Sequence, residues 1–301
     1  MEKVIVTGGA GFVGSHIVDA LVERGYDVHV VDNLFAGKRE HVNPKATLHV
    51  VDIREKDLLI PIFKNAKYVF HEAALPRVQY SIEHPIDTHD VNITGLLNVL
   101  EVSRLNNVKR LVYAASSSAY GNTETLPLAE TLPPNPLSPY GAQKYIGEVY
   151  CKVWSKVYGL ETVSLRYFNV YGPRFNPDGA YPLVIGLFLK KALKNEPLPI
   201  TGDGNQTRDF THIKDVVMAN ILAMTSEKVG VGEVINIGSS RNISINYLAT
   251  LFNRNIEYTP ERLEPKHTLA DRSLAKKLLD WEPKVNFEDA IEELKKDFGV
   301  M

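Results

Sequence analysis

The sequence predicts an α/β protein, a doubly wound parallel sheet with helices on both faces and a smaller C-terminal lobe for substrate. Three observations carry this. Short apolar runs recur at 3–7, 28–31, 47–53, 66–74, 108–115 and 161–170, with longer amphipathic stretches between most of them. That alternation is what strand–helix–strand units require. A glycine cluster, "TGGAGFVG", separates the first strand from the first helix. After residue 170 the alternation fails, and "YGPRFNPDGAYP" and "LPITGDGNQTRD" have the Gly, Pro, Asn and Asp content of loops. "DVVMANILAM" reads as a helix and "EVINIG" as a strand, both returning to the main sheet. The expected division is 1–170 as the nucleotide-binding domain with returning segments at about 208–238, and 171–207 with 239–301 as the lobe.

Bulk composition narrows the function. With 34 basic and 36 acidic residues the chain has a net charge of −2, which argues against a nucleic-acid partner. The single cysteine, Cys151, excludes an internal disulfide and supplies no metal cluster, and it reads as a small apolar residue on a helix. The start, "MEKVIVTGG", runs from charge straight into a strand, unlike a signal peptide. No apolar run approaches the ~18 residues that cross a bilayer. A cytoplasmic protein without metal, membrane or nucleic acid is expected. Five prolines in "LPLAETLPPNPLSP", residues 126–139, make a stiff loop leading into the next helix.

The first element pair has the order strand, glycine turn, helix. Gly8 suits the tight turn, Gly11 a close approach of backbone to a pyrophosphate, and Gly14 close packing of helix on strand. The helix N-terminus then offers N–H groups to phosphates, and Gly25 closes the helix. Asp32 ends the second strand, where an acid accepts hydrogen bonds from a ribose 2′-hydroxyl. This is the context a Rossmann-type dinucleotide site requires. The acid disfavours a 2′-phosphate, so NAD is expected over NADP, although Lys38 and Arg39 follow closely.

The next pair of elements carries the chemistry. In "LSPYGAQKYIGEVY", Ser138 can cap the helix and Pro139 can take its first position. Tyr140 and Lys144 then share one face. A tyrosine titrates near ~10, so a neutral-pH base needs ~4 kcal/mol of preferential phenolate stabilisation. A lysine one turn away, the helix N-terminus and a bound nicotinamide cation all push that way. The strand "RLVYAAS" ends at the same sheet edge as the first, where ligands of such sheets bind. A serine hydroxyl there can relay a proton to Tyr140.

"TGGAGFVG", "SSSAYG", "YGAQK" and "RYFNVYGPR", in this order, resemble the extended short-chain dehydrogenases/reductases. The likeness is to the nucleotide-sugar 4-epimerases of the UDP-glucose and UDP-N-acetylglucosamine type. It spans nearly the whole chain. It implies Tyr140, Lys144 and Ser116 as the catalytic group, with Ser117 beside the substrate and Ser118 structural. It implies NAD held by Gly8, Gly11, Gly14, Phe12 and Val13 at the pyrophosphate, and by Asp32 and Asn33 at the ribose. Asp52 and Ile53 match the adenine contacts, and Ala73, Ala74 and Leu75 the strand end beside the cofactor. Asn92 matches a supporting asparagine, Phe168 the residue beside the nicotinamide. Asn169 and Arg208 match the sugar-nucleotide phosphate contacts. Thr268 matches the position beside the sugar C2 substituent, where a small residue leaves room for an N-acetyl group. The chain departs from the family in two places. "ERLEPKHTLAD" is one residue short and lacks a Gly-Asp pair, leaving Arg262 as the candidate second phosphate arginine. Pro76 and Arg77 stand where a lysine is common.

The implied reaction is redox-neutral. Tyr140 takes the 4-hydroxyl proton, a transient 4-keto sugar turns about its phosphate linkage, and the proton returns on the other face. Dehydrating relatives carry Asp and Glu after the active hydroxyl, where this chain has Ser117 and Ser118. UDP-glucuronate decarboxylation uses similar machinery and stays open. A non-catalytic NAD-binding regulator would commonly lose the Tyr/Lys pair. A homodimer through helices near 90–105 and 140–158 is also implied.

Overall fold

The computed structural model of the chain describes residues 1–175, 183–261 and 265–300. Its centre is a seven-stranded sheet, all parallel. The strands are β1 (Lys3–Thr7), β2 (Asp27–Asp32), β3 (Thr47–Val50), β4 (Ala66–His71), β5 (Arg110–Ser116), β6 (Glu161–Tyr167) and the returning strand Val231–Ile237. Across the sheet they run Val231–Ile237, β6, β5, β4, β1, β2, β3. Chain order therefore reverses between β1 and β4, which opens a crevice at their carboxyl ends.

Six helices belong to the first part: α1 (Phe12–Glu23), α2 (Lys56–Phe63), α3 (Val78–Glu83), α4 (Pro85–His89), α5 (Gly95–Leu105) and α6 (Pro139–Tyr158). Both sheet faces are covered, so the strands read as apolar runs without alternation. On one face Ile17, Val18 and Leu21 of α1 pack with Val216 and Ala219 of the returning helix Ile213–Thr225 on Val4, Val6 and Val28. On the other, Leu59, Phe63, Leu96, Val99 and Cys151 pack on Ile5, Val69 and Leu111. Cys151 is fully buried on α6, as expected of it. Among the described residues no helix is long and apolar enough to cross a membrane.

A separate core forms from the later chain, with Phe188, Leu198, Ile200, Phe210, Leu248, Phe252, Phe287 and Ile291 at its centre. One stretch assigned to the lobe from sequence lies elsewhere. Ala275, Leu279 and Trp281 join the sheet's core. The Trp281 indole donates to the Asp215 carbonyl at 2.9 Å, and the Asp215 carboxylate accepts from the amides of Lys284 and Val285 at 2.9 and 3.2 Å. A few residues later, the helix Phe287–Asp297 enters the lobe core.

Three strands stop before their apolar runs do. β3 ends at Val50, β4 at His71 and β6 at Tyr167, so 51–53, 72–74 and 168–169 turn away from the sheet at its carboxyl edge. These turns are themselves half-buried, which is why they look like strand in the sequence.

Candidate functional site

The glycine turn is built by close contacts. Gly8 has φ +71°, and a Cβ there would lie 2.6 Å from the Ala73 nitrogen. At Gly14 a Cβ would lie 2.2 Å from the Gly8 carbonyl oxygen, so α1 sits directly on the turn. Gly11 precedes α1 and gives it no side-chain cap, leaving the first-turn N–H groups to another partner. Phe12 packs edge-on to Phe175 at 5.7 Å and to His16 at 6.0 Å, and Val13 is half-buried beside it.

Asp32 is buried at the end of β2, and both of its oxygens are engaged. One accepts from the Ala10 amide at 3.0 Å and the other from the Leu34 amide at 2.8 Å. Burial pushes its pKa up, and these two hydrogen bonds oppose the rise. Asn33 donates to Asp52 at 2.7 Å. Asp52 is gripped by Arg54 with two bonds of 2.9 Å, which hold its pKa at about 2. Ile53 is buried against Gly95, where a Cβ would come within 2.5 Å of its Cδ1. Asp32, Asn33, Asp52 and Ile53 are thus neighbours at one edge.

Beside them, Ala73, Ala74 and Leu75 follow β4. Asn92 holds this turn by donating to the Leu75 carbonyl at 3.3 Å and accepting from its amide at 2.8 Å. Its amide nitrogen also donates to Gln143 of α6 at 2.7 Å, and Gln143 donates to Thr88 at 3.0 Å. Asn92 lies in a π-helical turn, Asp90–Thr94, a conformation that recurs at functional sites. The side chain is therefore a bridge from the turn after β4 to α6.

α6 starts as its sequence dictates. The Ser138 hydroxyl accepts from the Gly141 amide at 3.1 Å, and Pro139 occupies the first turn. Ser81 of α3 accepts from the Tyr140 amide at 3.0 Å and fixes the helix entry. Tyr140, Lys144 and Ser116 are 9 %, 4 % and 8 % exposed, so their proton chemistry is shielded from water. The run of three serines resolves into two tasks. Ser116, at the end of β5, opposes the rise that burial gives the Tyr140 pKa. Ser118 supports it, with its amide donating to the Ser116 hydroxyl at 3.2 Å and the two hydroxyls 3.0 Å apart. Ser117 begins a single 3₁₀ turn, Ser117–Ala119.

The electrostatics differ from the sequence argument. Burial pushes the Tyr140 pKa up, and the groups that oppose it are Ser116 and then Arg77, with Glu72 adding to the rise. Lys144 is tethered to β5. Its ammonium donates to the Ala114 carbonyl at 2.6 Å and lies 6.0 Å from the Tyr140 ring centroid. Burial lowers the Lys144 pKa, against the pull of Glu72, and raises that of Glu72. Glu72 accepts from the Tyr167 hydroxyl at 2.9 Å. Glu72, Ser81 and Gln143 were not singled out from sequence, and Arg77 only as standing where a lysine is common. "HEAAL" and "YGAQK" carry two of them next to residues that were.

The later residues also converge. Asn169, at φ +31°, donates to the Asp209 carbonyl at 3.1 Å and to the Thr268 hydroxyl at 3.4 Å. Thr268 is 8 % exposed, and its hydroxyl accepts from the Asp209 amide at 3.2 Å. Arg208 donates to the Thr207 and Lys266 carbonyls at 2.9 and 3.3 Å. Asp209, unremarked in the sequence, organises the group by accepting from the amides of Ser239, Ser240 and Ala270 at 2.7, 3.0 and 2.9 Å. Phe168 is fully enclosed, 6.2 Å from the Tyr120 ring with Leu128 and Ala270 around it. The resemblance implies a place beside the nicotinamide for this residue. Arg262 lies outside the described residues.

Residues 4–238 match the model of the NAD dependent epimerase/dehydratase family. The whole chain is similar to three solved structures in particular. The UDP-glucose 4-epimerase of Thermotoga maritima, solved with UDP-glucose, is 39 % identical with a TM-score of 0.95, over 99 % of this chain and 98 % of that one. The UDP-N-acetylglucosamine 4-epimerase of Methanobrevibacter ruminantium, solved with UDP-N-acetylmuramic acid, is 38 % identical with a TM-score of 0.94, over 99 % and 98 %. The Thermus thermophilus UDP-glucose 4-epimerase complex with NAD is 35 % identical with a TM-score of 0.91, over 99 % of each chain.

Proposed function

Since the chain belongs to the NAD dependent epimerase/dehydratase family, we propose that it is an isomerase inverting C4 of UDP-hexoses, UDP-glucose and UDP-galactose together with their N-acetylated counterparts. The observation that carries this is the buried Ser116–Tyr140–Lys144 group with Ser117 and Ser118, and no acid, following the active hydroxyl. Tyr140 removes the 4-hydroxyl proton, with Ser116 to relay it, and returns the proton once the sugar has turned. The sugar between these steps is a 4-keto species. Asn169 and Arg208 hold the diphosphate about which it turns. Lys144 contributes its positive charge within 6.0 Å of the phenol ring.

The glycine turn suits a dinucleotide: any side chain at Gly8 or Gly14 would strike backbone, and α1 begins uncapped. NAD bound there supplies the hydride acceptor and donor. Gly8, Gly11, Phe12, Val13 and Gly14 would hold the pyrophosphate, Asp32 and Asn33 the ribose, and Asp52 and Ile53 the adenine. Heat-denatured protein is expected to release NAD. NADP in that extract would remove Asp32 from the ribose-reading role.

The reading is tested by incubating the purified protein with each UDP-sugar and separating the products. The 4-epimers are expected. A UDP-pentose from UDP-glucuronate, with no epimer of any neutral sugar, would replace this reading with decarboxylation.

Thr268 sets the width of the sugar pocket in this proposal. Thr268→Tyr is expected to depress activity on the N-acetylated pair more than about 10-fold beyond its effect on the plain pair. Thr268→Val keeps the size but loses the hydrogen bonds to Asp209 and Asn169, and so separates pocket width from local order. Equal losses on both pairs would place Thr268 away from C2.

The assembly proposed is a homodimer. Ile146, Val149, Val153 and Val157 expose an apolar stripe along α6, and Leu105 of α5 is exposed as well. A second copy of this face would cover them. Val153→Glu is expected to give a monomer by light scattering, and an unchanged mass would exclude this face. We place the activity in the cytoplasm, a setting that the single buried thiol of Cys151 suits.

A further inference from the structure

A cavity of about 330 Å³ lies where the segment after Trp281 passes from the sheet's core to the lobe, a volume in the range of small-ligand sites. None of its lining residues belongs to the set assigned to NAD or to the sugar nucleotide. Part of the lining is aromatic. Tyr171 stands edge-on to Phe287 at 5.5 Å and to His212 at 5.1 Å, and Phe210 is stacked on Phe287 at 5.5 Å.

Two of these buried side chains bring unanswered donors. The Lys214 amide donates to His212 Nδ1 at 3.2 Å, which leaves the ring proton on Nε2. Burial lowers the His212 pKa to about 4, so the ring stays neutral. Neither that N–H nor the Tyr171 hydroxyl has a hydrogen bond among the described residues, although His212 is 6 % and Tyr171 3 % exposed. Buried donors are paired in folded proteins, so two left open on one cavity call for an acceptor from outside the chain. The charges around it ask for the same. Arg241 is held by Glu288 through bonds of 2.7 and 2.5 Å, and the Asp215 carboxylate is taken by the amides of Lys284 and Val285. The Arg272 guanidinium and the Lys284 ammonium, both on this lining, have no hydrogen bond or ion pair among the described residues.

The open groups are thus all donors, two neutral and two cationic, beside flat apolar surface. An oxyanion accepts from such a set, and a flat ring packs on Tyr171, Phe210 and Phe287. We propose that this cavity binds a small oxyanion, a phosphate or a carboxylate, carried on a flat ring. Phe210 and Phe287 belong to the lobe core, while Asp215 and Lys284 tie the chain to the helix Ile213–Thr225, so the ligand would touch both bodies.

The test reads the indole N–H signals of the NAD-bound full chain by NMR. Trp281 donates to Asp215 beside the cavity, whereas Trp154 sits on α6. Phenyl phosphate, benzoate and neutral phenol are titrated separately. At least one anion is expected to shift the Trp281 signal saturably while the Trp154 signal stays in place, with phenol about 10-fold weaker or more. The tighter anion identifies the oxyanion as phosphate or carboxylate. Tyr171→Phe, Arg272→Met and Lys284→Met should each weaken that binding about 3- to 30-fold, with NAD content and turnover retained. A Trp281 signal that neither anion moves would leave the donors to water and overturn the proposal. Phenol binding as tightly as the anions, or three variants binding like wild type, would overturn it as well.

Discussion

Tyr140→Phe lowers turnover by about 10²- to 10⁴-fold, the range over which a positioned proton-transfer group commonly acts. The substitution deletes only the phenol oxygen. The backbone bond from Tyr140 to Ser81 stays, as does the bond from Lys144 to the Ala114 carbonyl. The fold and bound NAD are therefore expected to be retained, and NAD content of the purified variant checks this. Burial holds the phenol neutral in the free protein, with Ser116 and Arg77 pulling the other way. Because the base is the phenolate, wild-type activity should rise with pH along its acidic limb. Near-normal initial rates in the variant would remove Tyr140 as the base.

Arg166→Leu has the largest expected effect on stability. Arg166 on β6 and Glu148 on α6 form a two-bonded ion pair at 2.8 and 2.7 Å, with both side chains 3 % exposed. The guanidinium also lies 4.4 Å over the Tyr120 ring. Removing it strands a buried carboxylate, which costs about 3–5 kcal/mol. Burial already pushes the Glu148 pKa up and Arg166 opposes that, so the stranded group should bind a proton. Urea unfolding reads the loss as a lower midpoint. Arg166→Leu with Glu148→Gln should recover part of it, because no unpaired charge remains. A shift below about 1 kcal/mol would show that water reaches the pair.

The central sheet was legible because strands buried on both faces leave short apolar runs between helical periods. β1 matched its run residue for residue, whereas β3, β4 and β6 stopped early, since half-buried turns look like strand. The glycine turn and the start of α6 were legible because a few neighbouring residues fix each of them. What could not be read depends on contacts between residues far apart in the chain. Lys144 turns to a carbonyl 30 positions away, and Asn92 reaches Gln143 across 51. Arg77 and Glu72 act on Tyr140 only because α3 and β4 are brought beside α6. The placement of 273–281 on the sheet was hidden for the same reason, since Trp281 shows its use only when Asp215 stands opposite.

That tryptophan has a mechanical consequence. The chain is stapled to the helix Ile213–Thr225 by three bonds to Asp215, and within a few residues it is packed into the lobe core through Phe287 and Ile291. Such a strap shortens the lever on which the two bodies could swing apart. The strap is thus expected to act as a brace between the two cores. A hexose that must rotate is then expected to draw its freedom to turn from its own linkage more than from a parting of the protein around it.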